Sequence, residues 1–109
     1  MEMLTKLEEL VLISVLKLKG EAYGTSIFNH IVGLTGQDVT VSSVYFPLER
    51  LVRKGYLLAI QGEPTPKRGG MGKRYYRLTP SGLTALQESR VLNLAAWRGV
   101  AGLMKRAEV

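Results

Sequence analysis

The stretch Thr40-Val-Ser-Ser-Val-Tyr45-Phe-Pro-Leu-Glu-Arg50-Leu-Val-Arg-Lys54-Gly55 decides the fold. Thr40 is a helix-capping residue, and Gly55 is a helix stop. Between them Val41, Val44, Leu48, Leu51 and Val52 recur on one side. At about 100° per residue the other side carries Ser42, Ser43, Phe46, Arg50 and Arg53. Pro47 lies inside this helix, beyond its first turn, where it removes one hydrogen bond and is expected to kink the axis. The apolar period continues unbroken on both sides of it, so the helix is kept.

Directly after the helix comes a strand, Tyr56-Leu-Leu-Ala-Ile-Gln61. The loop Gly62-Glu-Pro-Thr-Pro-Lys-Arg-Gly-Gly-Met-Gly72 follows, then a returning strand, Lys73-Arg-Tyr-Tyr-Arg-Leu78. Pro64, Pro66, Gly69, Gly70 and Gly72 forbid regular structure in the loop, and Lys67 and Arg68 sit at its tip. Helix, strand, basic turn, strand is the order of a winged helix-turn-helix, whose third helix and wing are the parts that touch DNA.

Outward from this centre, the spacing predicts a first helix over Lys6 to Lys19. Thr5 and Glu8 have capping-box spacing, and Gly20 stops the run. Leu7, Leu10, Val11, Ser14 and Leu18 mark one face; Leu12, Val15 and Leu16 extend the apolar surface over most of the circumference. Such a helix needs either a large core or a partner chain. A second helix is expected over Gly24 to Leu34, with Ile27, Phe28, Ile31 and Val32 as its stripe and Gly33 and Gly36 ending it. Thr79-Pro80 is a helix start, Thr as N-cap and Pro at the first helical position. The last helix is expected to run from Pro80 to about Arg106 with Leu83, Leu86, Leu94, Trp97, Val100, Ala101 and Met104 as its stripe. It would be roughly 40 Å long, too long for the small domain before it to cover; Gly99 and Gly102 weaken its end. The expected architecture is mainly α with a two-stranded β-wing: residues 1–79 a winged helix-turn-helix DNA-binding domain, residues 80–109 a C-terminal dimerisation helix.

Composition narrows the function. The 109 residues allow one domain with a modest core, and 46% hydrophobic content makes it globular. The absence of cysteine excludes disulfides and thiolate metal sites. No apolar run reaches the ~18 residues that span a bilayer and no signal peptide is visible, so a cytoplasmic protein is expected. The net charge is +6, and its placement says more than its size. Residues 50–77 hold Arg50, Arg53, Lys54, Lys67, Arg68, Lys73, Arg74 and Arg77 against Glu63 alone, while the remainder is close to neutral. The excess sits where a phosphate backbone would meet it.

With these residues in hand, the chain resembles the PadR-type transcriptional regulators from about Leu7 to Leu86. Four stretches carry the likeness. They are Tyr23-Gly24 opening the second helix, Ser43-Val-Tyr45 with Leu48 and Leu51 in the third, Lys54-Gly55-Tyr56-Leu57 into the wing, and Tyr75-Tyr76-Arg77-Leu78-Thr79-Pro80-Ser81-Gly82 leaving it. The loop Gly62-Glu-Pro-Thr-Pro with Gly69-Gly70 resembles one branch of that family. The likeness implies a dimeric repressor on a palindromic operator, its dimer built by the C-terminal helix with help from the N-terminal one. The short C-terminal region is similar to that of the smaller PadR proteins. Pro47 departs from the pattern, standing one residue later than the proline that often follows the third-helix tyrosine.

The candidate DNA contacts are Thr40, Ser42, Ser43, Tyr45, Phe46, Arg50, Arg53 and Lys54 on the third helix and Lys67, Arg68, Lys73 and Arg74 on the wing. Ser42 and Ser43 either bind phosphate or a base edge near a helix N-terminus, or serve as local caps. Tyr45 offers its hydroxyl to phosphate or is a core residue with a wet tip. Phe46 either touches a thymine methyl or packs on the wing or the second helix. Arg50 is a candidate for guanine or for the phosphate backbone, and Arg53 and Lys54 are candidates for the phosphate backbone. Leu10, Ser14, Leu94, Trp97, Ala101 and Met104 are candidates for the dimer interface. Trp97 is a packing anchor there or, as relatives imply, a contact for a small aromatic effector. His30 has no second ligand nearby and reads as a surface or core residue; no metal or cofactor is expected. A lone histidine with scattered carboxylates makes no catalytic set, so an enzyme is not expected. A winged-helix module that binds protein is the alternative from another class, separated by whether the chain binds duplex DNA in a salt-dependent way.

Overall fold

Three threonines start three of the helices in the computed structural model, which describes residues 2–36, 39–62 and 72–107. Thr5 begins α1 (Lys6–Leu18) with a complete capping box: its hydroxyl accepts from the Glu8 amide at 3.1 Å, and the Glu8 carboxylate accepts from the Thr5 amide at 2.8 Å. Thr40 caps α3 (Val41–Arg53) by accepting from Ser43 N. Thr79 caps α4 (Pro80–Trp97), with Pro80 at its first position. Between α1 and α3 lies α2 (Gly24–Thr35), opened by Ser26, whose hydroxyl accepts from the Tyr23 amide at 2.9 Å. The wing is β1 (Leu57–Gln61) paired antiparallel with β2 (Arg74–Leu78), from Leu57 opposite Leu78 to Gln61 opposite Arg74.

The sequence motifs around the wing clasp each other. The Thr79 hydroxyl donates to the Gly55 carbonyl at 2.6 Å and accepts from Gly82 N at 3.0 Å, while Thr79 N donates to the Tyr56 carbonyl at 3.1 Å. Gly55 turns with φ +79°, a left-handed geometry that glycine adopts without strain. Gly82 lies against the Tyr56 carbonyl so closely that a Cβ there would overlap it. The end of α3, both strands and the start of α4 are thus one knot.

At the centre is α1, which touches α2, α3, β2 and α4. Val11, Leu12 and Val15 meet Ile27 and Ile31 from α2, Val44, Leu48 and Leu51 from α3, and Leu57 and Tyr76 from the wing. Burying each such side chain stabilises the fold by about 1.5–3 kcal/mol. Most of the apolar circumference of α1 is therefore absorbed inside this one chain, and among its large side chains Leu16 stays exposed.

Four expectations change. α1 ends at Leu18, one residue short of the expected Lys19, which caps it at φ +49° just ahead of Gly20 at φ +91°. Gly33 lies within α2, which ends at Gly36. Val41 is 52% exposed, because it sits in the first turn of α3, beyond the reach of the core. The last helix is not continuous: α4 stops at Trp97, Arg98 and Gly99 form a turn with Gly99 at φ +77°, and α5 (Val100–Ala107) follows. The longest helix is then about 27 Å rather than 40 Å. Among the described residues no helix is long and apolar enough to cross a membrane.

Candidate nucleic-acid interface

The outer face of α3 is built by its own amphipathicity. With Val44, Pro47, Leu48 and Leu51 buried, Ser42, Phe46 and Arg53 face away from the core and are exposed. Phe46 is 67% exposed, so it packs on neither the wing nor α2. The Ser43 hydroxyl donates to the Thr40 carbonyl at 2.7 Å and belongs to the local cap; Ser42 lies 3.4 Å from the Thr40 hydroxyl and stays open to solvent.

Each flank of α3 is neutralised by a carboxylate. On one side Glu49 receives Arg74 of β2 at 2.9 Å, tying the helix to the wing. On the other, Glu8 of α1 receives Lys54 at 3.1 Å and Arg50 at 3.4 Å. Lys54 is also held by Glu2 at 2.7 Å. Arg50 and Lys54 are thus not the unencumbered cations expected from the sequence, because a buried acid 42 and 46 positions upstream engages them. Burial would raise the Glu8 carboxyl; the Thr5 amide, Lys54 and Arg50 outweigh it and hold it below the usual range. The hydrogen bond that Lys54 donates to Glu2 leads the causes that push Lys54 upward, burial opposing and Glu8 adding to it.

The base of the wing sits on the start of α2. Tyr76 N donates to the Ala22 carbonyl at 2.8 Å, and the Tyr23 and Tyr75 rings meet edge-on at 5.7 Å. Lys73 Nζ stands 3.6 Å over the Tyr23 ring. Between these groups and α3 opens a cleft of about 450 Å³ lined by Tyr23, Gly24, Thr25, Tyr45, Lys73 and Arg74 together with Tyr76. Tyr45 is 45% exposed, with its hydroxyl close over Gly24: a Cβ on Gly24 would stand 2.6 Å from it. The first amides of a helix have no intrahelical partner and favour an anion. The cleft thus joins an electropositive helix start, a tyrosine hydroxyl and two cations, which is chemistry suited to a phosphate. Sequence reading passed over Tyr23 and Thr25 as contacts; the Tyr23-Gly24 pair was the available signal. Lys67 and Arg68 lie outside the described residues.

The second cluster is only partly assembled. Leu94 and Trp97 join Ile13, Leu16, Leu83 and Leu86 around a groove of about 430 Å³ between α1 and α4. Ala101 and Met104 lie past the Gly99 turn on α5 and do not line it, and Leu10 packs against the core. Ser14 is no surface residue: it is fully buried, donates to the Leu10 carbonyl at 2.7 Å and lies 2.7 Å from His30 Nδ1. A helix apolar on most sides hides such a residue, because its pattern does not say which face meets α2. Next to Glu8, Glu9 grips α4 through the Ser89 hydroxyl and Asn93 Nδ2 at 2.9 Å. Burial would raise its carboxyl, and Ser89, Asn93 and Lys6 bring it below the usual range.

Comparison with known proteins agrees with this frame. Residues 12–88 match the model of the transcriptional regulator PadR-like family. No curated protein sequence matches the chain. Among solved structures, a PadR family transcription regulator from Clostridium difficile R20291 is similar with TM-score 0.66 at 20% identity, covering 94% of this chain and 97% of that one. A PadR-like transcriptional regulator from Bacillus cereus ATCC 14579 is similar with TM-score 0.67 at 20% identity, over 92% and 88% of the two chains. A PadR family transcriptional regulator from Eggerthella lenta DSM 2243 gives TM-score 0.68 at 25% identity, over 87% and 80%. These relatives are transcription regulators, not enzymes.

Proposed function

The chain belongs to the transcriptional regulator PadR-like family, and from that premise we propose that it is a sequence-specific DNA-binding repressor acting as a homodimer on a palindromic operator. The observation that carries the reading is the outer face of α3, where Phe46 stands two-thirds exposed between Ser42 and Arg53. An aromatic ring among small polar and basic groups suits a major groove, where it meets a thymine methyl. The cleft at the start of α2 supplies phosphate contacts beside it, from Lys73, Tyr45 and helix amides, and from Arg74 once it leaves Glu49, which set register without reading sequence. Thr40 and Ser43 shape the helix start. Lys67 and Arg68 add wing contacts, and Arg50 meets DNA only on leaving Glu8.

The dimer rests on α4 and α5. In α4 only Gly82 is buried and in α5 no residue is, while Val91, Leu94, Trp97, Leu103 and Met104 are each more than half exposed. A second copy related by a two-fold axis would cover them, and two reading helices would then face two half-sites. Selection of bound duplexes from a random DNA pool tests the whole reading: an inverted repeat supports it, and recovery of no enriched sequence overturns it. A second reading is favoured by Trp97, which is 63% exposed at the rim of the α1–α4 groove. A flat aromatic effector seated there would quench Trp97 fluorescence and weaken operator binding; no quenching by such compounds would assign the groove to packing alone.

A further inference from the structure

We propose that Glu8 is a specificity-determining residue, one that together with Glu2 holds Arg50 and Lys54 at the end of α3 in a neutral cluster and so keeps the reading helix from binding DNA of any sequence. The inference rests on the DNA-binding reading above. Glu8 is only 1% exposed. One carboxylate oxygen accepts from Thr5 N at 2.8 Å and closes the cap of α1. The other faces Lys54 Nζ at 3.1 Å and Arg50 Nε at 3.4 Å. A capping box needs an acceptor at this position, and glutamine supplies one as well as glutamate. The charge is not required by the cap, and burying it is unfavourable unless a cation answers it. Its answering groups are the two cations on the flank of α3 turned toward α1.

Each of those two cations could also add a contact blind to sequence. Arg50 keeps 41% of its side-chain surface exposed and Lys54 keeps 23%, next to the outer face that carries Phe46 and Arg53. Released, each could neutralise a phosphate and expel a counterion, which tightens binding to every duplex alike. Held by Glu8, they contribute little to that common term, and base contacts keep a larger share of the discrimination. Glu2 is a second carboxylate on Lys54, at 2.7 Å, so Arg50 is the cation that Glu8 holds alone.

The test compares the full chain with Glu8→Gln and Lys54→Gln, on the selected operator and on a random duplex, over a salt series. Glu8→Gln keeps the helix cap, frees Arg50 and leaves Lys54 to Glu2. Its slope of log K against log salt is expected to steepen by about 1 per subunit. Its affinity for random duplex at low salt should rise about tenfold or more, and its operator-to-random ratio should fall. A cap-only role, which glutamine preserves, would move neither slope nor ratio, and that outcome overturns the proposal. Lys54→Gln, with Glu8 in place, should leave the slope unchanged because Lys54 is already neutralised. A slope shallower by about 1 per subunit would put Lys54 on phosphate beside an intact Glu8 and overturn the proposal by a separate route. A wild-type chain with no duplex affinity would sink the parent reading together with this one, whereas wild-type binding with an unmoved Glu8→Gln slope sinks this one alone.

Discussion

Phe46 is the side chain whose role can be isolated most cleanly, since it is exposed and its removal leaves the core of α3 untouched. Phe46→Ala should weaken operator binding by about 1–3 kcal/mol and random-duplex binding much less. Equal losses on both, measured side by side, would make it a positioning residue. Gly82 is the opposite case, because the cost falls on folding. Its missing Cβ leaves room for the Tyr56 carbonyl, and Leu78 Cδ1 would lie 2.8 Å from an added methyl. Gly82→Ala should therefore lower stability by about 1–3 kcal/mol, read as a shifted urea midpoint at constant slope. The Ser81-Gly82 motif was visible in the sequence as a likeness, but its reason was not. A contact between a backbone carbonyl at Tyr56 and an absent methyl at Gly82 leaves no trace in hydrophobic periodicity. The partners of Glu8 were hidden for a related reason: a carboxylate in a capping box looks fully explained by its local neighbours.

The helices show which signals survive without a structure. Thr5, Thr40 and Thr79 each mark a helix start because side-chain caps act within three residues, and those three starts are as the sequence predicts. Helix ends are less legible. The period of the last helix runs through Gly99, yet the chain turns there, and a stripe of Val100, Ala101 and Met104 fits a separate short helix equally well. The first turn of α1 offers a measurable consequence of adjacent acids. Glu8 and Glu9 are both held below the ordinary value of 4.5, so their contribution to stability is fully present above about pH 4.5. It is lost as the pH falls through the lower, folded-state values, because the unfolded chain then binds more protons. Urea midpoints measured from pH 7 down to pH 3 should fall in the acid range, and Glu9→Gln should flatten part of that fall. An identical pH profile in the variant would show that Ser89 and Asn93 are satisfied by an amide as readily as by a carboxylate.

The whole molecule is elongated, 59 × 30 × 21 Å, with an apolar arm leaving a basic head. Charge counting overstated that head. Of the basic residues after Arg50, Lys54 and Arg74 answer carboxylates within the chain, whereas Arg53 and Lys73 form no ion pair among the described residues. Two subunits with three or four phosphate contacts each should give a log K against log salt slope of about −5 to −7. A slope near −10 or beyond would mean that the internal pairs open on DNA. Removing the chain after Ser89 should abolish the dimer, since Val91, Leu94 and Trp97 go with it and the Asn93 tie to Glu9 is cut. A full-length chain that sediments as a monomer at micromolar concentration would instead leave those side chains facing water and overturn the dimer.

Two neighbouring side chains on α1 have opposite loads: Glu8 fastens the reading helix and Glu9 fastens the arm. One helical turn is therefore a joint between the part that would set the distance to a second copy and the part that would enter the groove. A joint that short has almost no slack. If the arm pivots about α1 by a few degrees, the head pivots with it, and the gap between two heads in a pair widens or closes by an amount magnified along the molecule's long axis. The length of spacer such a pair tolerates between half-sites would then be governed by the stiffness of the Glu8–Glu9 turn, far from any nucleotide.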